Sequence, residues 1–143
     1  MIRLGLEEHP HLPERFMVCA GVAAAVSADR QAALDAVRSH VAQGLQSPLA
    51  RLSPTALEAR RQLRTTYNTY DHMHPSAPHA AAVPDEVIPE FAIAGTPDDC
   101  LRQAKAMFDG GVDEITIRPY ALPGSSRLAT IEAFARDVMV RLR

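Results

Sequence analysis

The sequence predicts a parallel α/β fold, on three observations. Residues 16–26 (FMVCAGVAAAV) are nearly continuous apolar sequence, without the polar alternation of a half-exposed strand. A strand covered on both faces reads this way in parallel sheets. Two shorter strand-like segments, residues 91–94 and 114–118, each pass through a turn into an amphipathic helix. Strands alternating with helices of this length give a parallel sheet with right-handed crossovers. The 143 residues suit one compact domain, and a composition 47% hydrophobic and 22% charged provides a core and argues against disorder.

Residues 1–15 read as a polar loop, because His9-Pro10 and Leu12-Pro13 disfavour helix at the residue before each proline. The strand over 16–26 follows, with Gly21 marking a bulge or a close backbone approach. Ser27 is the expected N-cap of the next helix, with Asp29 in its first turn beside the positive end of the helix dipole. That helix carries Ala33, Ala36, Val37, His40, Val41, Gly44 and Leu45 at i, i+3, i+4, i+7 and i+8, an amphipathic stripe. Ser53 and Pro54 start a further helix as N-cap and first helical residue. Ala56, Ala59, Leu63, Tyr67 and Tyr70 lie on one face of it, and Arg60, Arg61 and Arg64 on a solvated one. Residues 71–90 are the least regular stretch, rich in proline and histidine. Loops of this length in α/β proteins are more often functional than ornamental.

After the strand at 91–94, Thr96 is the natural N-cap, Pro97 the first helical residue, and Asp98 and Asp99 complement the dipole. Cys100, Ala104, Met107 and Phe108 form the buried stripe, and Gly110-Gly111 ends the helix in the left-handed way. In the strand at 114–118, Ile115 and Ile117 share one face while Glu114, Thr116 and Arg118 share the other. The last helix starts at about Arg127, with Leu128, Ile131, Phe134, Ala135, Val138, Met139 and Leu142 as its expected core stripe. No repeat or low-complexity tract is present.

Composition excludes several function classes. A formal net charge of −2 offers no field for a polyanion, so nucleic acid is not an expected partner. The N-terminus has charges and prolines where a signal peptide needs an apolar core, and the longest apolar run is far below the ~20 residues of a membrane helix. A soluble, cytoplasmic protein is expected. The two cysteines, Cys19 and Cys100, sit apart in apolar stretches, read as buried small hydrophobes, and fit a reducing compartment. No Ser-His-Asp pattern, P-loop or Gly-x-Gly-x-x-Gly fingerprint appears, so no catalytic nucleophile is named.

In a parallel sheet, ligands bind beyond the carboxyl ends of the strands. That rule selects Val26-Ser27, Gly95-Thr96 and Arg118-Pro119-Tyr120. Gly95-Thr96 precedes a helix N-terminus, which suits an anion and equally suits an ordinary cap. Arg118 is either a guanidinium clamp for phosphate or carboxylate or a surface arginine snorkelling past the rim. Asp71, His72, His74 and His79 allow three readings: a metal site, a substrate or cofactor contact through His74 or His79, or loop packing. Pro75 and Pro78 break any regular ligand geometry and no Glu or Cys completes a set nearby, so no metal is assigned.

The segment FAIAGTPDDCLRQAKAMFDGGVDEITIRP, with YDHMHPSAPHAAAVPDEVIPEF before it and VSADRQAALDAVRSHVA further upstream, resembles the C-terminal portion of luciferase-like monooxygenases and their coenzyme F420-dependent relatives. The resemblance runs from about Phe16 to the end of the chain. It implies a (β/α)8 TIM-barrel fold, FMN or F420 as cofactor at the carboxyl ends of the strands, and hydride transfer or oxygen activation on a small organic substrate. It places Gly95, Thr96 and Arg118 at the anionic tail of the cofactor and His74 or His79 at its ring or at the substrate. A TIM barrel typically needs about 250 residues, so this chain supplies only a partial, C-terminal barrel. It reads as a single truncated domain: a β/α unit with a helical and loop insertion over 16–90, then the last two β/α units over 91–143. The open sheet edge implies self-association, a complementing barrel half, or a rearrangement of the helices that covers the edge. The alternative to an oxidoreductase fragment is a non-catalytic barrel remnant serving as a structural or dimerisation module.

Overall fold

The computed structural model describes residues 17–48, 52–66 and 78–142. Its elements run β1 (Cys19–Val26), α1 (Arg30–Gly44), α2 (Pro54–Thr66), 3-10 turns at Pro78–Ala82 and Asp85–Glu90, β2 (Ala92–Gly95), α3 (Pro97–Asp109), β3 (Glu114–Pro119) and α4 (Arg127–Asp137), with a last 3-10 turn at Met139–Arg141. The α/β class, the parallel strands and the flanking helices are those the sequence predicts. The stretch before β2, read as irregular, contains two ordered 3-10 turns.

The three strands among the described residues are parallel, in the order β2-β1-β3. The central strand is thus the first among the described residues, and β2 and β3 flank it rather than each other. Its centrality explains its composition: both faces of Val22 to Val26 are buried. Ala23 and Ala25, with Ala92 and Ala94, meet α1, α2 and the 3-10 turns. Val22, Ala24 and Val26, with Ile93, Ile115 and Ile117, meet α3 and α4. Helices on opposite faces are what right-handed crossovers produce when the chain steps one way from β1 to β2 and back past β1 to β3.

Local details follow side-chain chemistry. The N-cap of α1 is Asp29, not Ser27: Asp29 Oδ1 accepts from the Gln31 and Ala32 N–H groups at 3.0 and 3.2 Å. Ser27 supports it from outside, its Oγ accepting from the Asp29 N–H at 3.0 Å. Ser53 Oγ caps α2 by accepting from the Ala56 N–H at 3.1 Å. Arg38, whose side chain is 14% exposed, is held by Asp35 of its own helix and fastens α1 to the segment before β2 through Asp85 and the Val83 carbonyl. The burial of α1 is wider than its stripe, because the helix is covered on two sides: Leu34, Ser39 and Ala42 are buried as well. The reverse holds for α3 and α4. Phe108, Leu128, Ile131 and Met139, expected in the core, are exposed; Phe134 of α4 and Val138 after it pack with the sheet residues, and Thr130 is buried, its Oγ1 donating to the Tyr120 carbonyl at 2.8 Å.

The two edges of the sheet are treated differently. On the outer edge of β2, the Gln103 amide accepts from the Ala94 N–H at 2.9 Å and donates to the Ala94 carbonyl at 3.0 Å, mimicking a neighbouring strand. The outer edge of β3 has no such cover among the described residues.

Candidate functional site

The three turns singled out in the sequence lie at one end of the sheet. The Ser27 N–H donates to the Gly95 carbonyl at 3.0 Å, and the Tyr120 N–H donates to the Ala24 carbonyl at 2.9 Å. The carboxyl end of β1 therefore touches the ends of both neighbours.

Alternation along β3 decides where Arg118 goes. Ile115 and Ile117 pack on the α3/α4 side, which turns Glu114, Thr116 and Arg118 to the α1 side, where all three are exposed. There the Arg118 Nη2 lies 3.2 Å from His40 Nε2 on α1. The Tyr120 ring stacks at a tilt on the same imidazole, centroids 5.5 Å apart. A guanidinium only donates, so His40 Nε2 accepts and the proton of the neutral ring resides on Nδ1. That Nδ1 is buried and meets no hydrogen-bond partner among the described residues. Burial first, and then the Arg118 charge, hold the His40 pKa below its ordinary value. The cluster is a neutral imidazole steering an exposed cation.

This arrangement makes a pH prediction. With a depressed folded pKa, the unfolded chain binds more protons between that pKa and about pH 6.5. The contribution of His40 to stability is complete above that window and is lost as pH falls through it. Urea midpoints measured from pH 5 to 8 should show this acid loss in the wild type and a smaller one in His40→Gln, which keeps an acceptor for Arg118 without the titration.

The Gly95-Thr96 turn is built differently. Gly95 has φ +132°, and a Cβ there would lie 2.8 Å from the Asp99 side chain. Thr96 closes a capping box: its Oγ1 accepts from the Asp99 N–H at 3.2 Å, and Asp99 Oδ2 accepts from the Thr96 N–H at 3.1 Å. Burial pushes the Asp99 carboxyl up, but hydrogen bonds from Arg102 and Thr96 outweigh it and hold the pKa below its ordinary value. The anion at this helix start is the protein's own carboxylate, also 3.4 Å from Arg30 Nε. Of the two anion positions expected here, Arg118 carries the exposed positive charge and Gly95-Thr96 forms a shaped rim. In register with Val26 and Ala23 respectively, Gly95 and Arg118 are two strands and three residues apart, about 14 Å between backbones. Only an extended ligand reaches both.

The other expected residues fall outside this cluster. His79 is 0% exposed, in the first 3-10 turn against the α1/α2 layer. Asp71, His72 and His74 lie outside the described residues, and among the described residues no group of three or more His, Cys, Asp or Glu is placed to hold a metal. Cys100 is buried with its pKa pushed up to about 12, whereas Cys19 is exposed rather than buried as expected. A cleft of about 650 Å3 opens near the amino end of β2, lined by Gly21, Phe91, Ile93 and Met107 among others, away from the carboxyl edge. Sequence reading missed His40. Its signal was a lone imidazole in a stripe of Ala, Val and Leu.

The luciferase-like monooxygenase family model matches residues 1–114. The chain belongs to that family. The match covers β1, β2 and α3 and stops at the first residue of β3, before Arg118 and Tyr120. Among solved structures the chain is similar to the coenzyme F420-dependent tetrahydromethanopterin reductase of Methanopyrus kandleri, with 19% sequence identity and a TM-score of 0.67. That likeness covers 89% of this chain and 36% of the reductase chain. The fold is therefore part of a luciferase-like, TIM-barrel-type α/β architecture. No curated protein matches the sequence. Among the described residues no helix is long and apolar enough to cross a membrane.

Proposed function

We propose that this chain forms one wall of an F420- or flavin-dependent oxidoreductase site, with the anionic end of the cofactor on Arg118 and the Gly95-Thr96 rim further along the extended cofactor. The observation that carries the reading is the exposed Arg118 guanidinium at the carboxyl end of β3, steered by His40 and Tyr120. Family membership and the F420-dependent structural relative support the cofactor class. The residues fit an anion: Arg118 spends one donor on His40 and keeps others for a phosphate or carboxylate. The bound cofactor supplies hydride chemistry, and the protein supplies orientation and charge. Asp99 screens the start of α3, so a phosphate is directed toward β3 rather than to that helix.

Titrating the chain with FMN and with F420, read by fluorescence quenching, should give saturable binding of one of them. Arg118→Ala should weaken it about tenfold or more, the loss of one charge-assisted contact. Unchanged affinity in Arg118→Ala, or no binding of either cofactor, overturns the reading. The span of only 36% of the reductase chain favours a second reading, a non-catalytic structural or dimerisation module. That module would show no thermal shift with either cofactor.

A further inference from the structure

The free edge of β3 is self-complementary, and we infer that it is the pairing surface for a second copy of this chain. The partner strand runs antiparallel about a two-fold axis at Thr116.

Backbone geometry sets the register. The Tyr120 and Glu114 N–H groups donate toward β1, to the Ala24 and Val18 carbonyls. Even-numbered residues of β3 therefore spend their backbone groups inward, and Ile115 and Ile117 present theirs to the open side. A two-fold at Thr116 sets Ile115 opposite Ile117 of the second copy, and the reverse. Each pair exchanges two N–H···O bonds. Moving the centre to Ile117 would set Ile115 against Pro119, which has no N–H to give. Moving it to Ile115 would set Glu114 against Thr116 and leave Arg118 without an acidic partner. Any half-step would oppose an outward residue to an inward one.

Side-chain chemistry selects the same register. With Thr116 on the axis, Glu114 stands opposite Arg118 of the second copy, twice by symmetry. Both are exposed on the α1 face and occupy non-hydrogen-bonded positions, where Cα atoms approach to about 4.5 Å. Arg118 keeps its His40 contact, since the guanidinium has five N–H donors.

The opposite face supplies the apolar area. Helix α4 packs over β1 and β3, with its Ala133 flank against the core. Its other flank carries Leu128, Ile131 and Ala135 along one line, and Met139 follows in the 3-10 turn after the helix; Leu128 is 62% and Met139 53% exposed. An axis beyond β3 sets α4 and its copy about two strand spacings apart, roughly 10 Å, the distance at which helices pack. The exposed stripe then meets its own image. The contrast with β2 is informative: Gln103 seals that edge, while β3 (EITIRP) has no lysine and, among the described residues, no side-chain plug.

The experiment is light scattering and sedimentation of the whole chain at micromolar concentration. The expected mass is twice the 15.6 kDa of one chain. Glu114→Arg and Arg118→Glu alone should each weaken the dimer about tenfold or more, and the two together should restore it. In a Cys19→Ser background, Thr116→Cys should form an intermolecular disulfide on oxidation, because the two-fold brings the two Cα atoms within bridging range. A wild-type monomer overturns the inference. So does a dimer that survives both charge changes and never cross-links at Thr116. Far-UV circular dichroism of each variant separates lost pairing from lost folding, and the Thr116→Cys cross-link tests the pairing without changing the charge at Arg118.

Discussion

Leu34→Ala should lower the stability of the chain by about 3–5 kcal/mol, the upper part of the range for buried leucine truncations. Leu34 is 0% exposed and faces a sheet surface made of alanine: Ala23, Ala25, Ala92 and Ala94. Alanines have no side-chain torsion with which to fill a hole. The neighbours on the helix layer, Val37 and Val41, are β-branched and stiff. The cavity would persist, so the packing loss adds in full to the transfer loss. Against the roughly 5–15 kcal/mol typical of a domain, that is a large fraction. Urea unfolding of the variant beside Leu34→Met checks it, the latter expected to cost less than about 1.5 kcal/mol. Equal costs for the two would show that volume at this position does not matter.

Gly95→Ala is the second change with a large effect, about 2–4 kcal/mol. At φ +132° an alanine is strained by about 1–3 kcal/mol whatever surrounds it. Its Cβ would also press on Asp99 Cβ and Oδ2, both 2.8 Å away, and so displace the carboxylate that closes the capping box, worth about 1 kcal/mol more. Thr96→Ala removes the cap without the strain and is the comparison. If Gly95→Ala melts no lower than Thr96→Ala, the backbone conformation at Gly95 is not the constraint described.

What the sequence discloses and what it hides divide along physical lines. Caps and turns are local chemistry. Thr96, Pro97, Asp99 and Ser53 could be placed because each acts on backbone groups within three residues. The face of β3 was also legible, since alternation puts Ile115 and Ile117 together however the strand is packed. Whether an apolar stripe has something to cover it is a different matter. Leu128, Ile131 and Met139 have the spacing of a core face, yet nothing in the described residues covers them. Conversely, Leu34 and Ala42 became core because two layers close on α1. The place of β1 between β2 and β3 depends on partners distant in the chain, which no local pattern records. The contact between His40 and Arg118 was hidden for the same reason, and the burial of His79 agrees with the loop-packing alternative left open for the histidines of that stretch.

The central position of the first strand has a consequence for synthesis. Translation at about 5–20 residues per second places β1 outside the ribosome several seconds before its partners exist. Its pairing with Ala92 must wait for the helices between to be made, and its pairing with Glu114 waits longer still. During that interval CAGVAAAV is an apolar strand with two bare edges, the kind of segment that recruits other chains. Folding of the chain should be slow for its length, because every pairing of the sheet is long-range.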